Sequence, residues 1–249
     1  MNPFAGQKLL ETVAATIEHR QLLRGSERIL LGVSGGKDSL ALLDCLYRLG
    51  YSQLHSIHIR IDRDAPVVFA EFCAARSTFH LVETDILNEV RTSRRRNSCF
   101  ICSRARRKAL SDFALNQGFD TLVLAHHKND AVETLLLNLF FQREISTLLP
   151  VQELAGGRLH IIRPFYDADE KTIRRYAKAL QLPVTDWNCG LEQNSRRAWL
   201  REQLFRWQKA HPRVRLTDNI FAALHNVNSS YLPASSTQDK AQNLLKKGD

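Results

Sequence analysis

Apolar and polar positions along the chain follow two rhythms. A short apolar run at Arg28–Val33 ends at a Ser-Gly-Gly turn and reads as a buried strand. Leu54–Ile59, His80–Ile86, Thr121–Ala125 and Leu159–Arg163 read as further strands, the last ended by Pro164. Between them the spacing turns helical. Leu40, Leu43, Leu46 and Leu49 recur at three-residue intervals within Lys37–Leu49. Val67–Ala75, Ser103–Asn116, Asn129–Phe141 and Asp169–Leu180 read as further helices, and Leu9–Leu23 as a leading one. Asp169 and Glu170 are acidic residues suited to a helix start. A basic loop is expected between the third strand and the helix at Ser103. Beyond Pro183 the pattern is helical throughout.

Alternation of strand and helix predicts an α/β fold, a parallel five-stranded sheet with helices on both faces. The boundaries read as a helical arm over 1–26, the α/β domain over 27–183, a helical C-terminal segment over 184–233 and a mobile polar tail over 234–249. Ligands of such sheets bind beyond the carboxyl ends of the strands, and the polar motifs of this chain fall there.

The sharpest motif is Ser34-Gly35-Gly36-Lys37-Asp38-Ser39, between the first strand and its helix. Two glycines let the backbone approach an anion, and the helix start adds free amides and a positive dipole end. Lys37 suits a phosphate and Asp38 a metal beside it, while Ser34 and Ser39 offer hydroxyls. The spacing is neither the Walker pattern nor the dinucleotide fingerprint.

Composition adds charge to this picture. The 249 residues carry 35 Lys+Arg against 26 Asp+Glu, a net +9, and 44% are hydrophobic. That balance excludes a disordered or collagen-like chain. No apolar run approaches the ~18 residues of a membrane span, and the N-terminus lacks a signal-peptide pattern. A cytoplasmic location without membrane attachment is expected. The charge is clustered. Arg91, Arg94, Arg95, Arg96, Arg104, Arg106, Arg107 and Lys108 follow one another without an acid. A second cluster holds Arg196, Arg197, Arg201, Arg206, Lys209, Arg213 and Arg215 against Glu202. Such clustering is the footprint of a nucleic-acid binder.

The five cysteines divide in two. Cys45 and Cys73 sit among Leu and Ala on expected helices and read as core. Cys99 and Cys102 form a C-x-x-C pair enclosed by the first basic cluster, and Cys189 precedes the second. An odd count argues against a disulfide framework. Redox, zinc and cluster chemistry all fit a bare C-x-x-C pair. Zinc would need a fourth protein ligand, whereas three cysteines suit a cluster with one iron left open.

The Ser34–Ser39 loop resembles the PP-loop of the ATP-pyrophosphatase superfamily, which cleaves ATP between the α and β phosphates. Within that superfamily the chain resembles the tRNA 2-thiocytidine synthetase family from about Glu27 to Pro233. The resemblance rests on Cys99-x-x-Cys102-Ser103-Arg104-x-Arg106-Arg107, on Ala125-His126-His127-Lys128-Asn129-Asp130, on Arg163-Pro164, on Glu170-Lys171-x-Ile173 and on Asn188-Cys189-Gly190. It implies an adenine nucleotide alpha hydrolase-like fold, with ATP, Mg²⁺ and a 4Fe–4S cluster as cofactors. Cys99, Cys102 and Cys189 would be the metal ligands and act in catalysis with Lys37 and Asp38. Ser34 to Ser39, His126 and Asp130 would bind the nucleotide, with His127 either a ligand contact or a helix cap. Arg94, Arg95, Arg96, Arg104, Arg106, Arg107, Arg196 and Arg197 would bind RNA. The implied partners are tRNA, a cysteine desulfurase or other sulfur donor, and a second copy of the chain in a homodimer. The implied reaction adenylates a cytidine carbonyl of the anticodon loop and replaces its oxygen with sulfur.

The chain departs from the family pattern at Ala125, at Asn129 and over 142–150, where a glycine-rich segment is usual. These changes leave a uridine or a non-tRNA acceptor as alternatives. A lysidine-synthetase-type ligase is disfavoured by the three cysteines, and a non-catalytic RNA-binding metalloprotein by the intact loop.

Overall fold

The computed structural model describes residues 6–23, 27–62, 66–92, 98–185 and 195–232. The expected tail over 234–249 lies outside them. Helix α1 (Gln7–His19) leads into strand β1 (Ile29–Gly32), helix α2 (Lys37–Arg48), β2 (Leu54–Arg60), the short α3 (Ala70–Ala74) and β3 (Thr78–Glu83). Then come α4 (Ile86–Thr92), α5 (Ser98–Asn116), β4 (Thr121–Val123) and α6 (Lys128–Phe141). The chain continues through β5 (Val151–Leu154), β6 (Leu159–Ile162), α7 (Glu170–Ala179), α8 (Arg196–Ala210) and α9 (Leu216–Ala223).

The sheet runs β3-β2-β1-β4-β6-β5. Every pairing is parallel except β5 on β6. The five expected strands are therefore joined by a sixth, and the sheet is mixed rather than wholly parallel. Val151–Leu154 carries Gln152 and Glu153 and turns back through Ala155, Gly156 and Gly157, all at positive φ. Half-exposed and only four residues long, it shows no apolar run, which is why its pattern is silent. The expected basic loop after β3 is also corrected: α4 and a longer α5 occupy most of it.

Side chains alternate across the pleat. Ile29 and Leu31 of β1 join Val123 and Ile162 in a core beneath α1, α2 and α7, closed by Leu9, Val13, Leu40, Leu43 and Ile173. Leu30 turns the other way, with Ile57, Ile59, Leu122 and Ile161, against Val90, Cys102, Leu110 and Ala114 of α4 and α5. A third cluster joins α6 to α8 and α9 through Ala131, Leu136, Leu200 and Phe221. The leading helix thus packs into the same core as the first sheet face. Cys45 and Cys73 are fully buried, as expected, and burial pushes both thiols up to about 12.

One buried carboxylate ties α2 to α7 and to the segment after α3. Asp44 on α2, 1% exposed, accepts from Arg48 at 2.7 Å, from Arg76 at 2.8 Å and from the Tyr176 hydroxyl of α7 at 2.5 Å. Burial alone would raise its pKa, but these bonds outweigh that and hold it below the usual carboxylate range. Its contribution is therefore present above about pH 4 and lost as pH falls through the depressed folded value. Asp44→Ala strands Tyr176 and Arg76, so a loss of about 3 kcal/mol is expected, read from the urea midpoint at neutral pH.

Candidate functional site

The order of the sheet reverses between β1 and β4. Helix α2 packs on the first sheet face while α6 turns away to α8 and α9, opening a crevice between the carboxyl ends of the two strands. Two loops meet there: Val33–Gly36 after β1, and Leu124–His127 after β4.

The first loop is built around Gly35, at φ +83°. A Cβ on it would lie 2.4 Å from Phe69 and 2.6 Å from Thr185, so glycine is required on both counts. Thr185 N–H donates to Gly35 O at 3.0 Å, tying the segment after α7 to the loop. Ser39 Oγ closes the turn. It accepts from Ser34 N at 3.1 Å and donates to Gly36 O at 3.0 Å. Ser34 Oγ accepts from Gly36 N at 3.2 Å. Gly36 is then the N-cap of α2, whose first turn points into the crevice.

Lys37 reaches back to two carboxylates, Asp38 Oδ2 at 2.9 Å and Glu170 Oε1 at 3.1 Å. Burial would raise the Glu170 pKa, but hydrogen bonds from Arg174 and Lys37 bring it down to about 2. Asp38 Oδ1 is buried and has no hydrogen-bond donor. An orphaned anionic oxygen costs free energy unless a cation or donor meets it, so this atom fits a metal ion beside bound phosphates.

His127, on the second loop, is buried and is the N-cap of α6. Its backbone N–H donates to Asp130 Oδ2 at 3.0 Å. Its Nε2 lies 3.5 Å from Asp130 Oδ2 and 4.0 Å from Asp38 Oδ1, so it bridges the two loops. His126 receives Arg163 Nε at 3.3 Å on Nδ1. Burial, with Arg163 and Arg197 nearby, outweighs Asp130 and pushes His126 down to about 4. It is a neutral ring at pH 7.

Asp130 also lies 3.4 Å from Arg197, and beside it Glu133 holds Arg201 at 2.7 Å. Burial raises the Glu133 pKa despite that arginine. Glu133 is therefore not part of an ordinary amphipathic face but anchors α8 at the crevice. Sequence spacing could not show this, because its partner lies 68 residues away. Arg163, buried and clamped by Leu149 O at 2.6 Å and Gln152 at 3.2 Å, was visible only as part of a motif.

Beside Ser34 a small cleft opens between Gly32, Ile57, Ile59 and His58 on the sheet and Arg106 and Leu110 on α5. His58 donates from Nδ1 to Val33 O at 2.8 Å and meets Phe69 edge-on. Cys102, 7% exposed, lies one turn before Arg106 on α5. Positions 99 and 102 are one turn apart on that helix, a spacing that fits a shared metal centre. The Cys99 side chain, Cys189 and Arg94–Arg96 lie outside the described residues. Among the described residues no three His, Cys, Asp or Glu form a metal-holding group. Arg104 and Arg107 are exposed, Arg106 lines the cleft, Arg196 lies over the Phe141 ring, and Arg197 is committed to Asp130 and Glu133.

The departures have local explanations. Asn129 Oδ1 accepts from Glu170 N at 3.2 Å, a carbonyl role that joins α6 to α7. The 142–150 segment is tied down by Asn138 to Ser146 at 2.9 Å and by Thr147 to Ala131 O at 2.5 Å.

Residues 7–208 match the family model of the PP-loop domain. The chain is 32% identical over 237 residues to the tRNA-cytidine(32) 2-sulfurtransferase of Marinobacter nauticus, covering 91% of this chain and 78% of that one. The chain belongs to the tRNA-cytidine(32) 2-sulfurtransferase family of PP-loop proteins. The enzyme of the same name from Nitrosospira multiformis is also 32% identical, over 94% of this chain and 81% of that one. The U34-tRNA thiolase NcsA from Methanococcus maripaludis, solved with its [4Fe-4S] cluster, shares the fold at a TM-score of 0.69 and 19% identity, covering 88% and 80% of the two chains. Among the described residues of this family member no helix is long and apolar enough to cross a membrane.

Two outcomes follow from this geometry. Gly35→Ala forces Phe69 and Thr185 apart, so thermal unfolding should come several degrees earlier and nucleotide binding should be lost. In the unfolded chain His126 titrates near 6.5, so its depressed folded value weakens the fold as pH falls from about 6.5 to about 4. His126→Gln should flatten that part of the stability–pH curve, measured by denaturant titration across the range.

Proposed function

We propose that the chain is an ATP- and 4Fe–4S-dependent tRNA sulfurtransferase that converts a cytidine of the anticodon loop to 2-thiocytidine. The observation that carries the reading is shared geometry. One face of α5 holds Cys102, Arg106 and Leu110, and the last two wall the cleft that ends on Ser34 of the phosphate loop. This proximity supports a reading in which nucleotide and cysteine chemistry work side by side. The 32% identity to named sulfurtransferases supports the same substrate class.

The residues divide the work. Backbone amides of Gly35, Gly36 and the α2 start meet the phosphates, helped by the hydroxyls of Ser34 and Ser39. Lys37 leaves Asp38 and Glu170 for a phosphate oxygen when ATP enters. Asp38 Oδ1 takes Mg²⁺. Neutral His126 and Asp130, held by His127 and Arg197, line the far side of the crevice. The cytidine O2 attacks the α-phosphorus, the α–β bridging bond breaks, and pyrophosphate leaves. The base then carries AMP, a far better leaving group than oxide, on the carbon that sulfur attacks.

Cys99, Cys102 and Cys189 hold the cluster, which when bound supplies an iron open to sulfur. The side chain of Cys102 sits in an apolar layer, a setting that keeps water from its sulfur. Arg94–Arg96, Arg104, Arg106, Arg107 and Arg196 meet the RNA backbone, while Arg197 aligns Asp130. A cysteine desulfurase delivers the sulfur, and the chain works as a homodimer in the cytoplasm.

Nucleoside mass spectrometry tests the reading. The tRNA from cells lacking this protein should contain no 2-thiocytidine, and the intact gene should restore it. Restoration of thiouridine instead would move the substrate to another base. Cys102→Ser should abolish thiolation and leave ATP binding within about twofold, measured by calorimetry. Parallel loss of both would mean that the two sites are not separable.

A further inference from the structure

The carboxyl end of α6 and one flank of α8 expose an aromatic surface that the crevice does not use. Phe140, Phe141, Trp199 and Trp207 are 45%, 36%, 44% and 41% exposed. The rings of Phe140 and Phe141 meet at 6.5 Å and those of Phe141 and Trp199 at 5.9 Å, at steep angles. The Arg196 guanidinium lies 4.5 Å from the centre of the Phe141 ring.

Helical spacing explains the grouping. Leu200 and Leu204 turn α8 toward α6 and α9, with Arg197 and Arg201 reaching Asp130 and Glu133 on that side. Arg196, Trp199, Gln203 and Arg206 recur at intervals of three and four on the adjoining flank, with Trp207 four residues beyond Gln203. Basic and aromatic residues therefore alternate along one line. Glu202 offsets part of the charge through Arg206 at 2.5 Å.

Half-exposed rings flanked by guanidinium groups suit unpaired nucleobases. Every base presents a π-face, and its phosphate presents a charge for arginine. A duplex hides the first and offers only the second. A second copy of the chain would bring the same basic line against itself in a protein of net +9. α6 runs about 20 Å from the crevice at Lys128 to Phe141, so RNA lying on this surface spans the distance to the phosphate loop.

We infer that Phe141 and Trp199, with Arg196, form a stacking platform for unpaired bases of the RNA substrate, outside the nucleotide crevice. The inference rests on the proposed tRNA substrate and adds where its unpaired bases lie.

Binding of the full chain is measured to unmodified tRNA, to a single-stranded oligoribonucleotide and to a duplex of equal charge. Trp199→Ala and Phe141→Ala should each weaken binding to tRNA and single strand about tenfold. Duplex binding and the salt slope of single-strand binding should stay unchanged, because stacking releases no counterions. Trp199→Phe should restore most of the affinity. Arg196→Gln should lower both affinity and slope. Unchanged unfolding and ATP affinity show that the variants are folded. Equal losses on single strand and duplex, or no loss, overturn the platform while leaving the tRNA assignment intact. A dimer that Trp199→Ala converts to monomer, with RNA binding retained, assigns the surface to a second copy instead. Failure of the unaltered chain to bind tRNA overturns both readings.

Discussion

The site depends on the reversal of strand order between β1 and β4. These strands are parallel neighbours, yet α2 packs back on the sheet while α6 turns away to α8 and α9. No side chain can fill the gap that this leaves at their carboxyl ends. The backbone must then enter it, and only a turn through left-handed conformation brings the α2 start into position. Gly35 provides that turn. Phe69 and Thr185 press on it so closely that the loop has one shape. The anion site is a consequence of topology sharpened by one missing methyl group.

Charge is arranged around this opening in opposed pairs. Lys37 is held by Asp38 and Glu170, Asp130 by His127 and Arg197, and Glu133 by Arg201. The pairs join two elements to the crevice: α7 through Glu170, and α8 through both Arg197 and Arg201. Entry of a polyanion disturbs this balance locally, since Lys37 can exchange carboxylates for phosphate without crossing solvent. The Asp38 oxygen without a donor marks where one further positive charge is missing. Helix α8 is thus tied by two arginines to Asp130 and Glu133 on α6.

Much of this was legible beforehand, and the reasons differ by element. Strands β1 and β4 are buried almost throughout and write short apolar runs, whereas β2 and β6 mix buried apolar residues with His55, Ser56, His58 and His160 and are legible by their length and bounding turns. The phosphate loop was legible because its chemistry is local: every group within Ser34–Ser39 is near in sequence to its partner. β5 was illegible because an exposed edge strand of four residues needs no apolar pattern. The start of α5 was illegible because its first turn reads as a C-x-x-C motif set inside a basic run, which carries no helical spacing of its own, although Cys102 packs on the sheet. The roles of Glu133, Arg201 and Arg163 were hidden for another reason. Their partners are brought together only by the crossing of α6, α8 and the sheet edge, which no local spacing encodes.

The central claim is that the crevice activates an RNA base with ATP. The most direct measurement follows ATP cleavage products in the presence and absence of unmodified tRNA, using the purified, cluster-containing chain and a sulfide source. The account predicts tRNA-dependent release of AMP and pyrophosphate, in step with the appearance of thiolated cytidine, and none from Lys37→Ala. Release of ADP and inorganic phosphate, or AMP formation that is indifferent to tRNA, would contradict it.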